Sequence, residues 1–87
     1  MKTVITVIGK DRPGIIYQVS KVLFDEGLNI EDISQTVMQE YFTMIMIASG
    51  PDSLNIRELN DKLDLLEGET LSIKLQKTDI FDSMHNI

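Results

Sequence analysis

Six segments of alternating or helical hydrophobic spacing follow one another along this chain, and their order limits the fold more strictly than any other feature. Val, Ile and Thr alternate in the first segment, as in a half-buried strand, whereas Ile15, Val19 and Leu23 recur at the spacing of a helix. Glycines follow both helical patterns, at Gly27 and Gly68, where helices commonly end. The predicted elements, in order, are a strand over 3–8, a helix over 15–26, strands over 28–39 and 41–48, a helix over 56–66 and a strand over 71–76.

Right-handed crossovers turn this order into one α+β domain, a βαββαβ sandwich of the ferredoxin-like type. It has a four-stranded antiparallel sheet with both helices on one face. After it, Ile80, Met84 and Ile87 stand in helical register and predict a short C-terminal helix. We therefore expect one domain over residues 1–77 and a tail over 78–87 that packs on the domain or on a dimer mate.

Two local sequence features predict where the first strand ends and where the second strand is irregular. Gly9, Pro13 and Gly14 follow the first strand closely, which predicts that this strand ends at Ile8. The alternation of the second strand is interrupted at Glu31–Asp32, which predicts a β-bulge there.

The third strand is apolar on both of its faces. Met44 and Met46 alternate with Ile45 and Ile47, yet the two helices can cover only one face of the sheet. A contiguous apolar surface on the other face is typical of an interface. We expect the C-terminal tail or a second copy of the chain to cover it, and we favour a homodimer.

Composition excludes several function classes. The chain has 87 residues, a net charge of -6 and no cysteine, so phosphate backbones are repelled and neither disulfides nor thiolate metal sites can form. The only histidine, His85, has no partners for a triad or a metal cluster, and we predict no enzyme, no metal and no cofactor. No apolar run approaches the ~20 residues of a membrane span. We expect a cytoplasmic protein that binds neither nucleic acid nor membrane.

The segment Asp11-Arg12-Pro13-Gly14 leads into the first helix, and Gly27-Leu28-Asn29-Ile30 leads out of it. A purely structural interpretation has Asp11 capping the helix, Pro13 fixing φ and Asn29 closing a turn. A functional interpretation adds that amides at a helix N-terminus bind a carboxylate. Pairing of two chains along the second strand would bring Asn29 of one towards Gly14 of the other.

These two segments and the order of elements resemble the ACT domain, the amino-acid-sensing module of biosynthetic enzymes and regulators, over about residues 1–77. The segments 33–36, 40–44 and 80–87 further resemble stand-alone bacterial ACT-domain proteins, and the glycine cleavage system repressor is more distantly similar.

The resemblance implies that a small amino acid binds at a homodimer interface. The positions that match the ligand contacts of the family are Asp11, Pro13, Gly14, Asn29 and Ile30. Arg12 is a candidate partner for a ligand carboxylate, although a solvated loop charge explains it equally well. Serine-binding members carry a histidine two residues before the position of Asp11, where this chain has Gly9.

The function expected from this resemblance is regulatory: ligand binding would signal to a separate effector protein, since no catalytic or DNA-binding domain is attached. The alternative is a protein–protein interaction module that uses the apolar sheet face and binds no metabolite.

Overall fold

The computed structural model describes residues 1–10, 14–68 and 70–77. The elements are β1 (Lys2–Lys10), α1 (Ile15–Asp25), β2 (Asn29–Met38), β3 (Tyr41–Ser49), α2 (Ile56–Asp64) and β4 (Leu71–Lys77). The predicted βαββαβ order is confirmed. The predicted C-terminal helix lies outside the described residues, and the boundary at residue 77 stays a prediction.

The four strands form one antiparallel sheet in the order β2-β3-β1-β4. The central strands β1 and β3 pair over their full lengths, from Lys2 with Ser49 to Lys10 with Tyr41. Strands β2 and β4 are the edges of the sheet. Each helix connects two strands that are separated by one other strand, as the split βαβ topology requires.

Both helices pack on one face of the sheet, which we call the helix face. The two helices contribute the apolar residues at positions 15, 19, 23, 59 and 63 to this core, and the sheet contributes alternate residues of its strands. The buried core residues are Ile5, Val7, Ile15, Val19, Leu23, Leu28, Phe42, Met44, Met46, Ala48, Leu59, Leu63, Leu71 and Ile73.

The opposite side of the sheet, which we call the outer face, is also apolar at its centre, as predicted. The register places alternate residues of the four strands on it: Val4, Thr6, Ile8 and Lys10 of β1, Tyr41, Thr43, Ile45 and Ile47 of β3, Asp32, Ser34, Thr36 and Met38 of β2, and Ser72, Lys74 and Gln76 of β4. Ile8 and Tyr41 are each 51% exposed and Ile45 is 43% exposed. No described helix covers these side chains.

Strand β1 runs two residues further than predicted. Gly9 does not end the strand but pairs with Phe42 on one side and Leu71 on the other. The prediction was wrong because this glycine serves close packing rather than a turn. A Cβ at Gly9 would come within 3.0 Å of the Thr70 carbonyl oxygen, so only glycine fits between β1 and the start of β4.

The predicted bulge in β2 is confirmed. The register against β3 shifts between Ile30 and Asp32, so Glu31 is the extra residue. Bulges limit pairing at the edges of sheets, and here the bulge lies close to the end of β2 that carries Asn29.

Candidate functional site

The N-terminus of α1 is the first component of the candidate site. Gly14 precedes the helix with φ 82° and ψ 3°, a left-handed conformation that glycine adopts without steric cost. The Gln18 N–H donates to the Gly14 carbonyl oxygen at 2.9 Å and starts the helical ladder. The amides of residues 15–17 have no acceptor within the helix and can donate to an anion. Asp11, Arg12 and Pro13 lie outside the described residues.

Asn29 and Ile30 form the second component, at the start of β2. Asn29 is exposed and pairs with Ser49, whereas Ile30 pairs with Ala48 and packs its side chain against the core. Their side chains therefore point to opposite faces of the sheet. Asn29 offers a side-chain amide, and Ile30 offers backbone groups at the sheet edge.

Within one chain, these two components lie at opposite ends of the sheet. Gly14 follows four residues after Lys10, the end of β1, which pairs with Tyr41, whereas Asn29 pairs with Ser49. Tyr41 and Ser49 are separated by eight residues of β3. At about 3.4 Å per residue that is ~27 Å, more than a small amino acid can span. One chain alone does not bring the predicted site residues together.

The open edge of β2 offers a way to bring them together. Residues 31–40 are all exposed, and from Ile33 to Met38 the strand has neither a charged residue nor a proline. Natural edge strands are usually protected by lysine, proline or a bulge. The only such device here is the bulge at Glu31, so the segment from Ile33 to Met38 is suited to pairing with another strand.

A symmetric antiparallel pairing of two β2 strands would place the Asn29 end of one chain beside the Met38 end of its mate. In the mate, Met38 pairs with Tyr41, and Tyr41 pairs with Lys10, the last residue of β1 and four residues before Gly14. Such a pair would thus direct Asn29 of one chain towards the end of the sheet where the mate's Gly14 lies. The same arrangement occurs twice, as two-fold symmetry requires.

Charged groups near Asn29 were not predicted from the sequence. The Glu31 carboxylate accepts hydrogen bonds from Ser49 and Lys2, and these lower the pKa of Glu31 below its ordinary value of 4.5. The Lys2 Nζ atom lies 3.3 Å from Oε2 of Glu31. The three residues come from β2, β3 and β1, so they fix the end of the sheet from which Asn29 projects. Only the register of the strands reveals this cluster.

The lowered pKa of Glu31 gives a prediction about acid stability. A carboxyl whose pKa is lower in the folded state contributes stability that is present above its unfolded pKa and is lost as the pH falls through the folded pKa. Glu31→Gln should therefore reduce the loss of unfolding free energy below pH 4.5, the ordinary value for this group. Urea unfolding between pH 7 and pH 3 measures it. Glu40→Gln, which removes the same charge in the turn after β2, is the control for the loss of one carboxylate.

Gly9 occupies the position where the resemblance places a histidine in serine-binding members. The backbone of β4 fills the space a side chain would need, with the Leu71 Cα atom 2.9 Å from an ideal Cβ at Gly9. A histidine side chain at position 9 is therefore excluded by the close packing of β4, and the candidate site has no imidazole donor there. In residues 1–10, 14–68 and 70–77, no cluster of three His, Cys, Asp or Glu residues is placed to hold a metal ion.

The βαββαβ fold places the chain among small α+β domains, and comparison with known families identifies a class that is typically regulatory and ligand-binding. The ACT domain family matches residues 2–76, so the chain belongs to the ACT domain family. This confirms the resemblance drawn from the loop segments and the order of elements.

Relatives of full length are similar over the whole chain. A UPF0237 protein of Streptococcus mutans is 47% identical over 89 residues, covering 100% of both chains. The solved structure of an ACT domain protein from Streptococcus pneumoniae is 40% identical, with a TM-score of 0.77 and 93% of each chain covered. A crystal structure described as a glycine cleavage system transcriptional repressor is 35% identical, with a TM-score of 0.75 over 88% of this chain and 45% of that one.

Proposed function

We propose that this ACT domain binds a small amino acid, or a similarly small metabolite, at a homodimer interface and signals its presence to a separate protein. One observation carries the proposal: the two components of the site lie at opposite ends of the sheet, along which β3 runs ~27 Å from Tyr41 to Ser49 at 3.4 Å per residue, while the edge that would join two chains is exposed and uncharged over Ile33–Met38. ACT domains are typically regulatory and ligand-binding as a class. We propose that this protein is not an enzyme.

The chemistry of the two components suits a zwitterion. Amides at the start of α1, together with Arg12, would receive the carboxylate. The Asn29 side-chain oxygen and the backbone carbonyls next to Ile30 would accept from the ammonium group. Because each ligand contacts both chains, it stabilises one dimer arrangement by its difference in affinity, and such coupling is worth about 1–3 kcal/mol. The effector would sense that arrangement.

Titration with amino acids tests the proposal. We expect at least one of the twenty to give saturable heat in calorimetry, with one ligand per chain and a sedimentation coefficient that corresponds to a dimer. Asn29→Ala should weaken that binding by about 10–100-fold, because a hydrogen bond to a charged group is worth about 1.5–3 kcal/mol. Asn60→Ala on α2 removes the same group at a distance and should bind as the parent does.

Two results would refute the amino acid proposal. One is a flat response to all twenty amino acids at millimolar concentration. The other is binding that persists in Asn29→Ala with unchanged affinity.

The second candidate function is a protein–protein interaction module that binds no metabolite. The observation that favours it is the exposure of Ile8, Tyr41 and Ile45 on the outer face. A flat amino acid panel together with a stable dimer would favour this function. In either case we propose a cytoplasmic protein whose partners are neither nucleic acid nor membrane. No helix of the described residues is long and apolar enough to cross a membrane.

A further inference from the structure

A depression on the outer face borders the edge strand β2, and we call it the β2 depression. Its volume is about 280 Å³, and it is lined by Ile8, Thr36, Met38, Tyr41, Phe42 and Thr43. A cavity of ~150 Å³ already holds a benzene ring, so the side chain of an amino acid has room here. A second depression, of about 350 Å³, extends from Ile8 and Tyr41 towards Thr70 and Ser72, away from the β2 edge.

The lining of the β2 depression is mainly apolar. It contains no charged residue, and its polar side-chain groups are the hydroxyls of two threonines and of Tyr41. Ile8 and Tyr41 are each 51% exposed, and Met38 is 71% exposed. An apolar group that covers this surface gains free energy, whereas a charged group would lose its hydration without gaining a partner. The lining therefore favours an uncharged, apolar ligand side chain.

The β2 depression also lies where the proposed dimer places Asn29. In a symmetric pair of β2 strands, Asn29 of one chain lies beside Met38 of its mate. Asn29 pairs with Ser49 and Met38 pairs with Tyr41. Ser49 and Tyr41 are eight positions apart in β3, an even number, so all four side chains project from the outer face. The β2 depression of one chain then opens next to the Asn29 side chain of the other.

The bulge in β2 brings a carboxylate to the same place. With Glu31 left out as the extra residue, the register that sets Asn29 beside the mate's Met38 sets Asp32 beside the mate's Thr36. Asp32 is exposed and pairs with Ile47, so its side chain lies on the outer face. The Glu31 carboxylate is bound to Ser49 and Lys2, which leaves Asp32 at the rim of the depression. A carboxylate there attracts an ammonium group and repels a second carboxylate.

We propose that the ligand is an amino acid with an apolar, uncharged side chain, such as leucine, isoleucine or methionine. The ligand side chain enters the β2 depression of one chain, and Asp32 of the other chain faces the ligand ammonium group together with Asn29. This inference rests on the proposed amino acid site and names the class of ligand that the site takes.

Calorimetry of the parent protein with a panel of amino acids tests the class. Leucine, isoleucine or methionine should bind at least ~10-fold more tightly than glycine or serine, because each buried methylene group raises affinity roughly four-fold. Aspartate should bind more weakly still. If glycine, serine or aspartate binds as tightly as leucine, the assigned class is wrong while the amino acid site stands. If no amino acid binds, the proposed function itself fails.

Thr43→Leu tests whether the ligand side chain enters the β2 depression. The larger side chain narrows the depression, so the affinity for leucine should fall at least ~10-fold while the affinity for glycine changes less than ~2-fold. Thr6→Leu is the matched control, because Thr6 is also half-buried on the outer face but lines neither depression. Equal losses in the two variants, or equal losses for leucine and glycine in Thr43→Leu, would contradict the proposal.

Asp32→Asn tests the carboxylate at the rim. Leucine should bind this variant ~10-fold more weakly, since a hydrogen bond to a charged group is lost. Leucine without its amino group, 4-methylpentanoate, should bind the parent and the variant equally, which a merely structural effect of the substitution would not produce. Asp64→Asn at the end of α2 is the control and should bind leucine as the parent does. Unchanged leucine affinity in Asp32→Asn would remove Asp32 from the site.

Discussion

Ile33→Lys is expected to convert the proposed dimer into monomers and to abolish amino acid binding with it. Ile33 lies near the middle of β2, on the helix face, and is 43% exposed. In a symmetric pair of β2 strands the middle of one strand lies beside the middle of the other. Two introduced ammonium groups would therefore face each other across the two-fold axis while two isoleucines are lost from the interface.

The expected effect is large because the two-fold symmetry of the proposed dimer places the substituted residue in the interface twice. Like charges placed together in an interface cost several kcal/mol, so the dimer dissociation constant should rise on the order of 10²–10³-fold. The monomer itself should lose no more than about 1 kcal/mol of stability, since Ile33 is partly exposed already. Sedimentation velocity over a concentration series, with calorimetry of the amino acid that binds the parent, measures both effects.

Ile45→Lys is a closely matched control. Ile45 is the same residue type, also 43% exposed and also in a strand, but it lies on the outer face. If the dimer forms through β2, Ile45→Lys leaves it intact. If Ile45→Lys dissociates the dimer and Ile33→Lys does not, the chains associate face to face and the site assembled from Gly14 and Asn29 cannot exist.

The fold was predictable from the sequence because each element carries its own local signal. Helical spacing at Ile15, Val19 and Leu23 predicted which face of α1 is buried, and all three are in the core. Alternation in β3 correctly separated Met44 and Met46, which are buried, from Ile45, which is exposed on the opposite face. These patterns depend only on the spacing of residues along the sequence, so they can be recognised without knowledge of the tertiary contacts.

The features that were missed depend on contacts between distant segments. Glu31, Lys2 and Ser49 come together only when three strands are in register. No local pattern indicates that the strand continues through Gly9. The glycine is needed there because the backbone at Thr70, 61 positions away in the sequence, packs closely against it. For the candidate site, the start of α1 at Ile15 was predicted correctly and its end at Asp25 lies one residue before the predicted one, whereas the roles of Asp11, Arg12 and Pro13 stay predictions.

The second large effect is expected from Gly9→Ala, which should destabilise the domain severely. An added Cβ would meet backbone atoms on β4, the Thr70 carbonyl oxygen and, at 2.9 Å, the Leu71 Cα atom. Backbone cannot rotate away as a side chain can. The start of β4 must then move, which would strain the Lys10 N–H to Thr70 carbonyl hydrogen bond of 3.0 Å and the pairing of Gly9 with Leu71.

The expected cost is about 3 kcal/mol or more, at the upper end of what overpacking a core usually costs. A domain of this size has a total stability on the order of 4–13 kcal/mol, so the variant should be largely unfolded at moderate urea concentration. Urea unfolding followed by circular dichroism gives the value. The control is Gly50→Ala, whose added Cβ has side-chain atoms of Leu28 and Leu54 as its nearest neighbours, at 3.1 Å and beyond. It should cost less than about 1.5 kcal/mol, since side chains can adjust.

The result for Gly9 also bears on ligand choice. If Gly9→Ala unfolds the domain, Gly9→His must do so too, because both add a Cβ at the same point. This chain then cannot acquire the histidine that the resemblance assigns to serine-binding members, and the proposed ligand would have to be held by the other proposed site residues. If Gly9→Ala is instead within about 0.5 kcal/mol of the parent, the close approach of β4 to Gly9 is wrong, and the absence of a histidine there has no structural cause.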